Sequence, residues 1–176
     1  MSNGIIVFGL NGSGKSTLGK ELANILNYKH MDIEDYFFFE SDIPYTKQRT
    51  RQEYLSLMIE DIKEHNNFVL SAVKGEFGAD ISSLYKLGVF IDVPYDIRIK
   101  RVEQRSIDKF GDRVKAGGDM YESEKEFLEF VKSRDVEDIK KWSDTLDCKI
   151  IRVDGTNDIL DNAKLIQKYY LKIFGC

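Results

Sequence analysis

Residues 9–16 read Gly-Leu-Asn-Gly-Ser-Gly-Lys-Ser, which is the spacing G-x-x-x-x-G-K-S of a phosphate-binding loop. The run before it, Gly4-Ile5-Ile6-Val7-Phe8, is short, apolar and partly β-branched, as a strand buried in a parallel sheet should be. The run after it places Leu18, Leu22, Ile25 and Leu26 at helical spacing. A loop in that setting has a defined chemistry. Gly9, Gly12 and Gly14 let the backbone curl with its N–H groups inward, and the helix N-terminus adds partial positive charge. The expected nucleotide contacts are therefore Gly9, Asn11, Gly12, Ser13, Gly14, Lys15, Ser16 and Thr17. Lys15 is expected at the β- and γ-phosphates and the Ser16 hydroxyl at a magnesium ion, so ATP and Mg²⁺ are the expected cofactors.

The rest of the chain alternates in the same way. Strands are expected at Ile5–Phe8, Lys29–Asp32, Phe68–Val73, Val89–Val93 and Lys149–Val153. Helices are expected at Lys15–Leu26, about Lys47–Glu64, near Ala79–Tyr85, at Tyr95–Ser106, about Tyr121–Leu146, and at Asp158–Ile173. Leu55, Met58, Ile59 and Ile62 form one face of the second helix, and Ile159, Ala163, Ile166, Tyr170 and Ile173 one face of the last. Such alternation predicts an α/β domain, with a parallel sheet covered on both faces and ligands at the carboxyl ends of the strands. A polar stretch at 107–120 with Gly111, Gly117 and Gly118 interrupts two helices, the position of a mobile lid.

At 176 residues the chain suffices for one domain, 1–176, with a real core. Its net charge of −4 without a basic block argues against a nucleic-acid partner. Cys148 and Cys176 show neither ligand spacing nor a disulfide framework, and Cys148 reads as a small core residue. His30 and His65 lack a second ligand at metal spacing and read as structural. The N-terminal apolar run leads into the loop rather than to a cleavage site, and no segment has the length of a membrane span. A cytoplasmic monomer or homodimer, with no membrane partner, is the expectation.

The Gly9–Ser16 loop, the segment Ile91-Asp92-Val93-Pro94, and Arg101-Val102-Glu103-Gln104-Arg105 leading into the polar stretch together resemble the small P-loop kinases. That group includes adenylate kinase and other nucleoside monophosphate kinases, shikimate kinase and gluconate kinase. The resemblance implies a three-layer fold with a five-stranded sheet of order 2-3-1-4-5, an acceptor-binding region at about 33–66 and a lid at about 107–120. It implies an ATP- and Mg²⁺-dependent phosphotransferase acting on a small-molecule acceptor. A nucleotide-binding regulatory switch with slow ATP hydrolysis is the rival.

The resemblance also carries roles, position by position. In shikimate kinase-like enzymes an Asp-x-Asp after the second strand holds Mg²⁺ through water and orients the acceptor. Here Asp32-Ile33-Glu34 matches it, with Asp35 adjacent, and the same residues would also serve as a helix-capping turn. The third strand, Phe68-Val69-Leu70-Ser71-Ala72-Val73, lacks the acid usual in P-loop proteins, so either Asp32 or Glu76 supplies it. Lys74 and Gly75 lie where related kinases bind the acceptor. Arg105 matches the second arginine of R-x-x-x-R, expected on the nucleotide phosphates, and Arg101 the first; Arg98 completes their stripe. Arg113 in the lid and Arg134 from the next helix are further candidates. Arg49 and Arg51 are positioned to clamp an acceptor phosphate, with solvated arginines the alternative. Tyr36–Phe39 either stack an acceptor ring or fill a core, and Gly155 and Thr156 are expected to border the adenine, with Thr156 or Asn157 as alternative helix caps.

Overall fold

In the computed structural model, residues 2–42 and 45–175 are described; Cys176 lies outside them. The elements are β1 (Asn3–Phe8), α1 (Lys15–Leu26), β2 (Lys29–Asp32), α2 (Ile33–Phe37), α3 (Arg51–His65), β3 (Asn67–Ala72), α4 (Ala79–Ser82) and β4 (Tyr85–Asp92). They continue with α5 (Tyr95–Phe110), a 3-10 turn (Gly111–Val114), α6 (Tyr121–Ser133), α7 (Val136–Ser143), β5 (Lys149–Asp154) and α8 (Ile159–Phe174). The sheet is parallel throughout and runs β2-β3-β1-β4-β5.

The central strand explains the two-sided cover. Ile6 and Phe8 of β1 enter one core with Leu70, Met58 and Ile62 of α3, and Ile139 and Trp142 of α7. Ile5 and Val7 enter the other with Val69, Leu18 and Leu22 of α1, and Ala163, Ile166 and Tyr170 of α8. A strand that buries both faces has no polar alternate positions, hence its unbroken apolar run. A third cluster of Ile99, Val102 and Val131, flanked by Phe127 and Leu128, holds α5 against α6.

Several boundaries differ from the sequence expectation. Strand β4 starts at Tyr85 rather than Val89, Gly4 and Ile5–Phe8 of β1 pairing with it from Tyr85 on, and α4 ends at Ser82. The others have local reasons. The second helix starts at Arg51 rather than near Lys47, because Thr50 and Glu53 form a reciprocal capping box. The expected Tyr121–Leu146 helix is two helices. Arg134 is extended (ψ 132°) and the Asp135 side chain accepts from Glu137 N–H to start α7. Helix α5 runs on to Phe110 and stops at Gly111, whose φ of 57° suits glycine. Asp32 caps an unexpected short helix, α2. On α8 the outer positions Ile159 and Ile173 are exposed, and Asn162 is buried instead, donating to the Asp154 carbonyl at 2.8 Å. No described helix is long and apolar enough to cross a membrane.

Candidate phosphate-binding site at the carboxyl edge of the sheet

The loop after β1 turns through Gly12 (φ 80°) and Gly14 (φ 93°). A Cβ on Gly12 would stand 2.3 Å from the Arg98 carbonyl oxygen, so no other residue fits against α5 there. Gly14 is the N-cap of α1, with no side-chain cap and no acidic residue in the first turn. The first-turn N–H groups of α1 are thus left to an incoming acceptor of hydrogen bonds. Ser13 Oγ is 2% exposed in residue terms and lacks a hydrogen-bond partner among the described residues. An uncapped helix start, a glycine-lined cradle and an orphaned hydroxyl fit a bound polyphosphate.

Lys15 Nζ donates to the Leu10 carbonyl at 3.2 Å, bending back over the loop. Burial pulls its pKa down to about 8, against the opposing pull of Glu34 and Asp32; Arg105 and Arg134 lower it further. A lysine whose pKa is lowered to about 8 is stabilised in its charged form when an anion binds beside it.

Lys15, Ser16 and Thr17 share a cavity of about 220 Å³ with Asp32, Glu34, Ser71 and Arg105. Asp32 ends β2 and accepts from Glu34 N–H at 3.1 Å, so capping and cavity lining coincide in one side chain. Ser71 occupies β3 beside Asp32 in register. Its hydroxyl donates to the Lys15 carbonyl at 3.1 Å and pairs with His30 Nε2 at 3.0 Å, which burial keeps below the usual imidazole pKa. A Cβ on Gly19 would sit 2.1 Å from Ser71 Oγ. The position facing the loop on β3 is therefore built for a small hydroxyl. Ser71 stands on the strand where P-loop proteins usually carry an acid, and no local sequence signal marks its role.

Three arginines of α5 behave differently. Arg98 is 5% exposed and donates to the Asn11 carbonyl at 3.2 Å. Arg101 donates to the Gly155 carbonyl at 3.0 Å, tying α5 to the loop after β5. A Cβ on Gly155 would meet Ile91 and Val93 side chains at 2.5 Å and the Ser13 carbonyl at 3.0 Å, so that loop presses against the phosphate loop. Arg105 is exposed and lines the cavity. From the start of the α6–α7 break, Arg134 reaches Asn11 Oδ1 at 2.9 Å. Burial lowers its pKa from the usual arginine value.

Residues 5–116, from β1 through the 3-10 turn, match the family described as AAA domain. The chain belongs to the AAA domain family. Within it, the chain is a small P-loop kinase of the shikimate kinase and adenylate kinase-like group. It is 28% identical over 179 residues to the uncharacterized protein YqaC of Bacillus subtilis, covering 96% of this chain and 98% of that one. It is 33% identical over 115 residues to a shikimate kinase of Clostridium botulinum, covering 59% of this chain and 67% of the relative. The fold is shared with a shikimate kinase from Bacteroides thetaiotaomicron (TM-score 0.58, 21% identity, 95% and 97% of the two chains). It is shared also with a gluconokinase from Sinorhizobium meliloti (TM-score 0.53, 15% identity, 97% of each chain).

Several expected contacts of this AAA domain protein lie away from the cavity. Arg49 Nη1 donates to the carbonyls of Asp35, Tyr36 and Phe38 at 3.0, 3.0 and 2.7 Å, closing the end of α2, and its guanidinium lies over the Phe39 ring. Arg51 reaches the Glu76 carbonyl. Lys74 pairs with Glu76 at 3.2 Å, and Glu76, the rival metal acid, is outside the cavity lining. Gly75 is buried under Tyr85 and Trp142, where a Cβ would meet the Tyr85 hydroxyl at 2.9 Å. Arg113 forms a bidentate pair with Asp119 inside the 107–120 stretch. Asp35 lines a separate cleft with His30 and Asp61; burial, then Asp32, raises its pKa. Thr156 donates to Asp154 Oδ1 from both N–H and hydroxyl, and Asp158 rather than Thr156 or Asn157 caps α8. Of Tyr36–Phe39, Tyr36 is core and Phe38 lines a second cavity.

Proposed function

We propose that this chain transfers the γ-phosphoryl group of ATP to a hydroxyl of a small-molecule acceptor. One observation carries the reading: Lys15, Ser16, Asp32, Glu34 and Arg105 line a single cavity. The α1 N–H groups and the Gly12–Gly14 backbone cradle the β- and γ-phosphates. Lys15 Nζ swings from the Leu10 carbonyl onto the phosphate oxygens. Ser16 and Asp32 would hold Mg²⁺, which would supply positive charge to the phosphates. Gly155 and Thr156 border the base.

The acceptor hydroxyl lies between Glu34 or Asp32 and the γ-phosphorus. The acceptor O–P bond forms as the bond from that phosphorus to the β-phosphate oxygen breaks, releasing ADP. The hydroxyl proton passes to the carboxylate and on to solvent. Arg105 closes on the equatorial oxygens, whose charge grows in transfer. Two carboxylates at the acceptor side favour a hydroxyl over an incoming phosphate.

The test is ADP formation measured against a panel of nucleosides, nucleotides, sugars and hydroxy acids. Acceptor-dependent turnover supports the kinase. Slow hydrolysis that no acceptor stimulates supports instead a regulatory switch, a reading that Ser71 in place of a strand acid favours.

A further inference from the structure

A second cavity adjoins the phosphate site and is unlike it. It holds about 360 Å³, within the range of about 300–1,000 Å³ usual for small-molecule pockets. Glu34 and Arg105 line both cavities, so one ligand can extend from the transfer site into this chamber. Aromatic side chains line much of it, Phe38 after α2, Tyr45, Phe110 at the end of α5, and Phe127 and Phe130 on α6, with the cations Arg105 and Lys109 along one side.

The two α6 rings divide the labour. Phe127 packs on the Ile99, Val102 and Val131 cluster, fixing the wall. Phe130, one turn on, is 53% exposed and faces the chamber with the Arg134 guanidinium 4.8 Å from its centroid. An exposed ring at the rim of a concave apolar surface is the feature by which a flat ligand is held. At the chamber's polar edge the Ser106 hydroxyl, on a residue 6% exposed, donates to Glu124 Oε1. Among the described residues Glu124 Oε2 takes no hydrogen bond, so it remains an acceptor for a ligand N–H or O–H.

On the kinase reading above, we infer that the acceptor is a neutral heteroaromatic alcohol of nucleoside size. Its ring sits among Phe38, Phe110, Phe127 and Phe130, a ring N–H or amino group donates to Glu124, and its hydroxyl reaches Glu34 at the shared wall. A sugar or hydroxy acid would leave the aromatic walls uncovered. An acceptor phosphate at the junction would meet the Glu34 carboxylate, while Arg105, which also lines it, is engaged on the transferred phosphoryl group.

The experiment combines two readouts on full-length protein. In the first, initial rates of ADP formation are measured for the purine and pyrimidine nucleosides and for sugars and hydroxy acids, with wild type, Glu124→Gln, Phe130→Ala and Phe130→Tyr. In the second, nucleoside binding is titrated calorimetrically without ATP. Expected is turnover with a nucleoside, an acceptor KM raised about tenfold or more by Glu124→Gln and Phe130→Ala, and recovery in Phe130→Tyr. kcat falls far less than KM rises, and the KM for ATP stays put. Turnover confined to sugars or hydroxy acids, insensitive to these variants, overturns the acceptor class and leaves the kinase standing. A raised KM for ATP instead of the acceptor assigns the chamber to the nucleotide base and also overturns it. If no acceptor turns over, the kinase reading fails; calorimetry then decides the chamber, upheld by nucleoside binding that Glu124→Gln weakens about tenfold and overturned by none in wild type.

Discussion

Arg134 Nη1 donates to Asn11 Oδ1 at 2.9 Å, across 123 positions of sequence. The contact fastens the phosphate loop to the joint between α6 and α7, the two helices that follow the 107–120 stretch. Arg98 holds the same residue by its carbonyl. Replacing the charge but keeping the stem, as in Arg134→Met, should lower stability by about 1–2 kcal/mol, a shift of several degrees in Tm. It should also raise the KM for ATP, since the loop loses its outer brace. Thermal melts and steady-state kinetics check both; unchanged values would make the contact incidental.

Lys15 gives a pH signature. With its pKa held to about 8 in the free protein, it is protonated below that value and progressively neutral above it. Phosphate binding restores the charge, so nucleotide binding takes up a proton, and affinity should fall by up to about tenfold per pH unit above 8. Stability runs the other way. Between about 8 and the ordinary lysine value of 10.5 the unfolded chain binds the extra proton, so the ligand-free protein gains stability as pH rises through that window. Calorimetry in buffers of different ionisation enthalpy measures the uptake. Lys15→Met should abolish it and cut kcat on the order of 10²–10³.

Gly19 and Ser71 should be coupled. Gly19→Ala places a methyl 2.1 Å from Ser71 Oγ, and overpacking of this kind costs about 1–3 kcal/mol, partly offset by about 1 kcal/mol of helix propensity. In a Ser71→Ala background the hydroxyl is gone and the tightest remaining neighbour is His30 Nε2 at 3.1 Å, so Gly19→Ala should cost markedly less than in the wild type. Denaturant melts of the four proteins give the coupling energy; additive effects would contradict the packing described.

The sheet is legible because the inner strands of a covered parallel sheet are apolar on both faces: β1 reads as an unbroken apolar run and β3 as one interrupted only by Ser71. The phosphate loop was legible because its glycines and lysine answer to backbone geometry within eight residues. What escaped notice depends on distant partners or on caps. The α6–α7 break hides because apolar periodicity continues on both sides, while Asp135 ends it by one local hydrogen bond. The Thr50 and Glu53 capping box is a local signal of the S/T-x-x-E type that fixes the start of α3 at Arg51. Arg49 carries no local sign that its guanidinium closes α2, and nothing near Ser71 announces that it props the first turn of α1.

The acidic turn divides by direction. Asp32 lines both the phosphate cavity and the neighbouring cleft, whereas Asp35 lines the cleft and not the phosphate cavity. Asp32→Asn should therefore slow turnover by on the order of 10² with ATP affinity near wild type, and Asp35→Asn should do far less. Equal, negligible effects on kcat would leave the turn a helix cap and return Glu76 to consideration.

Phosphoryl transfer itself is best followed by ³¹P NMR of the protein with ATP, Mg²⁺ and the acceptor panel. The account predicts that the γ-phosphorus signal reappears as a phosphate ester of one acceptor in step with ADP. Recovery of all of it as inorganic phosphate, at a rate no acceptor alters, would contradict the claim that this cavity serves a kinase.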